Sequence, residues 1–284
     1  VSSPQAVAVQ VDDAGDLRGT YFSLLIRRPV TLVLLGAFAI AAGIAGLALA
    51  GPLIGLAGLG AAIVVGLLVV FGIADSRSED AFFEQYASAR EMTVEVGRLR
   101  IPDETPLLRK GDDRYAVRLL EGPLGGGVSG LLALYTYEEK RSDGDGNQTT
   151  NSYHYTVGIA EVPECLYLAP ELYCRRKFGF HALDGLEDLF RSKKRVEFES
   201  EKLTERYEIF ANPDLQDFNW LRQLFSPTFI VWLAESAPEK FAFELVGGHL
   251  CCYVSGFKKD AVHLDAMRVA TATVATRLRE ESTE

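Results

Sequence analysis

Residues 29–74 read PVTLVLLGAFAIAAGIAGLALAGPLIGLAGLGAAIVVGLLVVFGIA, 46 positions without one Asp, Glu, Lys or Arg and with Thr31 as the only hydroxyl. As one straight helix such a run would extend roughly 70 Å, against a bilayer hydrocarbon core of about 30 Å. A single span cannot hold it. Ala50-Gly51-Pro52 lies near its middle, and Pro after Gly breaks a helix because the ring removes a donor and clashes with the preceding turn. The sequence therefore predicts a tight hairpin of two transmembrane helices, Val30 to about Leu49 and about Leu53 to Ile73.

The flanks set an orientation. Arg18, Arg27 and Arg28 precede the first span and Arg77 follows the second, whereas the turn carries no cation. By the positive-inside rule both termini face the cytoplasm. Arg27-Arg28, the apolar stretch and Ala48-Leu49-Ala50 imitate a signal peptide with its cleavage site. A second span follows directly, so cleavage there would still return residues 75–284 to the cytoplasm. Neither span contains an ionisable residue, which argues against a channel or proton-coupled transporter. Gly43, Gly46, Gly51 and Gly55, with Ala39 and Ala42, recur at four-residue spacing and let helix backbones approach closely in lipid. Packing within the hairpin is the commoner use of that spacing; self-association of two copies is the other.

Outside the run, 28 residues precede and 210 follow. The whole chain has 284 residues, 24% charged, a net charge of −10 and a pI near 5.0. These figures exclude collagen, a disulfide-stapled miniprotein and a fully disordered chain, and they disfavour nucleic acid as a partner. Residues 1–28 read as a disordered cytoplasmic tail. Ser76-Arg77-Ser78-Glu79 has capping-box spacing and is expected to open a new helix carrying Phe82, Phe83, Tyr86 and Ala87. Residues 97–128 are ambiguous, with a short helix expected near 113–121.

Beyond residue 130 the apolar period becomes two. Leu131–Tyr137 and Tyr153–Ile159 predict a long antiparallel hairpin with the polar tip Ser142–Asn147. A short helix is expected near 182–190, then strand-like stretches at Val196/Phe198 and Tyr207/Ile209. Asn212-Pro213 and Ser226-Pro227 each pair an N-cap residue with Pro at the first helical position, so each should start a helix. Phe241–Val246, Gly247-Gly248 and His249–Val254 form a two-residue hairpin. Pairing 246 with 249 puts Phe241, Phe243, Leu245, Leu250, Cys252 and Val254 on a core face, and Glu244, His249 and Cys251 on a mixed one. Leu264, Met267, Ala270, Val274 and Leu278 form one stripe of a closing helix. The fold class is α+β: a cytoplasmic, mainly antiparallel sheet packed with helices, over residues 75–284, behind a transmembrane hairpin at 29–74.

Chemical motifs are few. Gly125-Gly-Gly127-Val-Ser-Gly130 matches G-x-G-x-x-G, but a strand follows it where phosphate binding needs a helix N-terminus. Asp143-Gly-Asp145-Gly-Asn147 begins like a calcium loop, yet Gln148 replaces the glycine at position six and His154 the glutamate at position twelve. Cys165, Cys174, Cys251 and Cys252 show no C-x-x-C spacing. Glu244, His249 and Cys251 are the candidate metal ligands, set against ordinary packing under a helix. Arg175, Arg176, Lys177, Arg191, Lys193, Lys194 and Arg195 form a candidate anionic-lipid patch, each cation worth about 1 kcal/mol near a headgroup surface. Their alternative is two solvated turns balanced by Asp184, Glu187 and Asp188. No G-x-S-x-G or H-E-x-x-H occurs, so no catalytic residue is assigned and no cofactor is implied.

Val196-Glu-Phe198-Glu199-Ser200-x-x-Leu203-x-x-x-Tyr207-x-Ile209-Phe210, then Leu224-x-Ser226-Pro227-x-Phe229 and the hairpin 241–254, resembles a family of bacterial membrane-anchored proteins. It is known as a domain of unknown function, number thirty-one thirty-seven. The resemblance covers roughly residues 78–256, with Leu203 and Tyr207 standing where that family more often has Phe. It implies apolar spans followed by a cytoplasmic α+β region in a bacterial inner membrane, with core roles for the matching apolar positions and a turn or cap at Glu199-Ser200. It implies no catalytic residue. The expected function is a non-enzymatic integral membrane protein presenting an interaction or scaffold domain. Its expected partners are the lipid bilayer, a second copy of the chain and a cytoplasmic protein. A membrane-bound hydrolase or metal-dependent enzyme and an anionic-lipid sensor are the alternatives.

Overall fold

A computed structural model of the protein describes residues 13–142, 148–177, 193–212 and 218–283. The chain forms two compact units, Val1–Tyr86 with Lys259–Ala261, and Ala87–Lys258 with Val262–Glu284.

The first unit is helical. α1 (Arg18–Ile26) is followed by α2 (Pro29–Ala50) and α3 (Pro52–Ser88). Pro29 and Pro52 each stand at a helix start, where a missing N–H costs nothing. Gly51 ends α2 with φ +93°, a conformation that glycine adopts without strain, and its N–H reaches the Leu47 carbonyl. Pro29–Ala48 and Pro52–Ser88 are long and apolar enough to cross a membrane. Val30, Val33, Leu34, Ile44, Leu53, Leu56 and Leu68 are all more than half exposed.

Two expectations change here. Residues 18–26 are helical, not a disordered tail: Leu25 packs with Val70 and Ala74, Phe22 meets the edge of Phe71, and Arg18 pairs with Asp75. Ser76 caps nothing, because α3 runs through to Ser88. No Pro or Gly interrupts residues 73–88, and the Ser78 hydroxyl donates to the Ala14 carbonyl instead.

The second unit is built on one nine-stranded antiparallel sheet of order β1-β2-β3-β4-β9-β8-β5-β7-β6. The strands are β1 (Thr93–Leu99), β2 (Asp113–Gly125), β3 (Val128–Ser142), β4 (Gln148–Glu161), β5 (Glu171–Arg176), β6 (Lys194–Val196), β7 (Tyr207–Ala211), β8 (Ala242–Val246) and β9 (His249–Ser255). The 113–121 stretch expected as a helix is strand: Ala116, Arg118 and Leu120 are buried at a period of two. Val246 lies opposite His249, as the two-glycine turn requires, and in the longer hairpin Tyr135 lies opposite Tyr155. Gly247 and Gly248 have φ +56° and +79°, as a type I′ turn demands.

One face of the sheet is closed by helices. α5 (Glu201–Arg206) starts at Ser200, whose hydroxyl accepts the Leu203 N–H at 3.4 Å. α6 (Phe218–Leu224) buries Trp220, Leu221 and Leu224, and α7 (Pro227–Val231) buries Phe229 while leaving Ile230 half-buried. A π-helical turn, Trp232–Ser236, extends α7. The long α8 (Ala261–Thr283) buries Leu264, Met267, Ala270, Val274 and Leu278, the stripe read from sequence. It comes so close to β4 that a Cβ at Gly158 would collide with Thr271 Oγ1. The helix expected near 182–190, the tip Asp143–Asn147 and Pro213 lie outside the described residues.

Candidate functional site

The other face of the sheet was expected to be mixed, and it is buried. β-Alternation gathers Tyr135, Tyr137, Tyr155, Tyr173 and Tyr253 there, with Val157, Ala242 and Cys251. Tyr137 stacks on Tyr153 and Tyr155 at centroid distances of 4.8 and 5.8 Å. Stacked rings supply apolar area while leaving hydroxyls that need partners. The cover is a strap, residues 100–112, between β1 and β2. Its four-residue helix α4 (Pro106–Arg109) presses the buried Leu107 and Leu108 onto the tyrosines.

Glu244 sits at the centre of this face with no solvent exposure. One carboxyl oxygen accepts the Leu107 N–H at 3.0 Å and the other the Tyr253 hydroxyl at 3.1 Å. Tyr135 donates to the Leu107 and Leu108 carbonyls at 3.2 and 3.3 Å. Burial pushes the Glu244 carboxyl up to about 7, against the smaller opposing pull of the Leu107 N–H, Tyr253 and Thr105. Burial, with Glu244 next, holds the Cys251 thiol well above its ordinary range, and burial raises Tyr173 to about 12.

The strap also lines a cavity of about 520 Å³ bounded by Ile101, Asp103, Leu108, Tyr135, Arg98 and Arg114. Its charges are spoken for in part: Arg98 pairs with Asp113 and lies 3.9 Å over the Tyr115 ring, and Arg114 donates to the Arg109 carbonyl. A second, more apolar cavity of about 550 Å³ is lined by Gly125, Gly126, Phe229, Trp232, Val269 and Ala272. The glycine motif contributes to it as a turn between β2 and β3, with no helix after it.

The candidate metal trio is not assembled. Glu244 and Cys251 oppose each other across β8 and β9, but both carboxyl oxygens are occupied by protein donors. Among the described residues no group of three or more His, Cys, Asp or Glu side chains is placed to hold a metal ion. The four cysteines are free and buried. Burial raises Cys165 to about 11 and holds Cys174 well above its ordinary range, so neither offers a thiolate nucleophile.

The candidate lipid patch is divided by the pleat. Arg175 and Arg195 lie on the tyrosine side of β5 and β6, where both reach Glu208, at 2.8 and 3.3 Å. Arg176 projects to the opposite side, over Tyr207 at 5.2 Å, and Lys193 pairs with Glu171. Lys177 and Lys194 are exposed, and Arg191 lies outside the described residues. Glu208 and Glu171 leave less free charge than the sequence count suggests.

The small-residue positions act inside the hairpin. A Cβ at Gly46 would stand 2.8 Å from the Ile54 carbonyl oxygen, and one at Gly55 3.0 Å from that of Gly43. Gly43 faces Leu59. Gly51 has open space around it, so its role is the turn and not packing.

Sequence reading put Tyr253 on the face of Glu244 but missed Thr105, Leu107 and Tyr135 as its surroundings. The alternating tyrosines of β3, β4 and β9 were the available signal, with Pro106-Leu107-Leu108 as a possible lid. Comparison of this chain with protein-family models, curated proteins and solved structures finds no match.

Proposed function

We propose that the protein is a non-enzymatic integral membrane protein of a bacterial inner membrane, in which α2 and α3 form a two-span anchor and the sheet domain serves as a cytoplasmic interaction module. The observation that carries this is the exposure of apolar side chains around both helices. In water each exposed Leu or Ile forgoes about 2 kcal/mol of burial, whereas in hydrocarbon it costs nothing. The Arg27-Arg28 flank and the uncharged turn at 51–52 support cytoplasmic termini. A protein partner or a second copy of the chain is the expected ligand. The buried, neutral thiols and the occupied Glu244 carboxyl favour interaction over catalysis.

Membrane fractionation with alkaline extraction, followed by reporter fusions at residue 51 and at the C-terminus, tests the anchor. The expected result is a protein retained in the pellet, with the 51 fusion outside and the C-terminal fusion inside. Release into the soluble fraction would reject the anchor, and both fusions on one side would reject the hairpin. Native mass spectrometry of the extracted chain tests the absence of catalysis. A stoichiometric metal or small organic ligand would overturn the interaction reading.

A further inference from the structure

Glu244 is an unusual group to place in so enclosed a part of the sheet, because among the described residues none of the groups that hydrogen-bond to it is a cation. From β9 it is faced by Cys251 and Tyr253, from β5 by Tyr173, from β3 by Tyr135, and from the strap by the Thr105 hydroxyl and the Leu107 N–H. The guanidinium groups that act on Tyr173 and Tyr135 also have partners of their own: Arg109 donates to the Asp103 carbonyl and Arg114 to that of Arg109. An ionised carboxyl would have two well-formed hydrogen bonds and the Thr105 hydroxyl within reach, against the cost of desolvating its charge. The Thr105 Oγ1 is buried and has no hydrogen bond of good geometry, so the strap side of the carboxyl is the loosely tied one.

Three sides of the carboxyl are sheet, fixed by continuous strand pairing on β5, β8 and β9. The fourth side is the strap, whose inward ties are the Leu107 N–H to Glu244 and the Tyr135 hydroxyl to two carbonyls. Water can reach Glu244 at least cost by that side, since a short segment opens locally for far less than a strand leaves a sheet. We infer that Glu244 works as a proton-operated latch, holding the strap 100–112 over the tyrosine-rich face while protonated and releasing it when ionised. Release would also open the 520 Å³ cavity, because Ile101, Asp103 and Leu108 of the strap line it. The carboxyl's displacement to about 7 puts the switch near neutral pH. The inference does not depend on the membrane assignment, since every group in it belongs to the sheet unit.

Hydrogen exchange of the full chain in mild detergent, read at peptides covering 103–112 and corrected for intrinsic rates, tests the latch. Closed, the strap keeps the proton until about pH 7; open, Glu244 ionises near its ordinary 4.5. Opening should therefore increase about tenfold between pH 6 and pH 8. The same peptides in Glu244→Gln should show no such increase. An unchanged strap in the natural protein, or an equal increase in the variant, would overturn the proposal. Should Glu244→Gln not fold, infrared spectroscopy of the natural protein decides. A protonated carboxyl band present at pH 6 and lost in step with strap exchange supports the latch. Absence of that band at pH 6 refutes it.

Discussion

Helix α8 and the strap 100–112 cover opposite faces of one sheet by different means. α8 brings a stripe of five buried apolar side chains, Leu264 to Leu278, and settles against β4 where Gly158 leaves room for Thr271. Its hold is hydrophobic area and close packing, which respond little to pH. The strap brings two buried leucines and secures the rest through hydroxyls, a backbone N–H and one carboxyl. Its hold depends on protonation. A sheet with one permanent cover and one conditional cover can keep its architecture while one of its faces changes.

Four measurements would break or sharpen that contrast. Phe243→Ala, on the helix-covered face, should cost about 4 kcal/mol in chemical denaturation, equally at pH 6 and pH 8. On the strap face, the pH dependence itself is the test. The folded protein holds the Glu244 proton up to about 7 and the unfolded chain only to 4.5. The resulting stability is complete below pH 4.5 and is lost as pH rises through 7, a loss of about 3 kcal/mol. Subtracting the denaturation profile of Glu244→Gln from that of the natural protein should isolate it. A flat difference would mean that the two covers are alike.

Gly158→Ala should destabilise by about 2 kcal/mol through overpacking, and Thr271→Ala should recover most of that loss in a double-mutant cycle. Independent, additive effects would show that α8 does not rest on β4 at that point. Smallest, Arg195→Gln should change stability by about 0.5 kcal/mol or less, because its pairing with Glu208 is half-exposed and shared with Arg175. Liposome flotation with and without that substitution should agree as well, if the cations are mainly internal partners.

The parts of this fold that were legible in sequence are those where a local pattern met no competing one. Alternation at 131–137 and 153–159, two glycines between apolar runs at 247–248, and a helical stripe from Leu264 to Leu278 each determined an element, and the glycine pair also set the register of its hairpin. β2 was hidden because the cation Arg118 occupies an inward position of the alternation, and Gly122 and Pro123 read as a loop. Helix α1 was hidden for a different reason: its stability comes from tertiary contacts with Val70 and Ala74, not from its own pattern. The surroundings of Glu244 were the least legible. Its partner Leu107 lies 137 residues upstream, and no periodicity connects a strap to a strand.

The strand order has a consequence for how the chain comes into being. β1 to β4 are neighbours in sequence and in space, so this meander can close as soon as it is synthesised. The next strand beside β4 is β9, near the C-terminus, and β5 to β8 are made in between. Until β9 arrives, the hydrogen-bonding edge of β4 from Tyr155 to Glu161 has no partner from the finished sheet. A nascent or truncated chain ending before His249 would carry that edge open, beside a row of aromatic rings. Translation arrest or proteolysis ahead of β9 would therefore yield a sticky fragment, whereas loss of residues after β9 would leave the sheet paired.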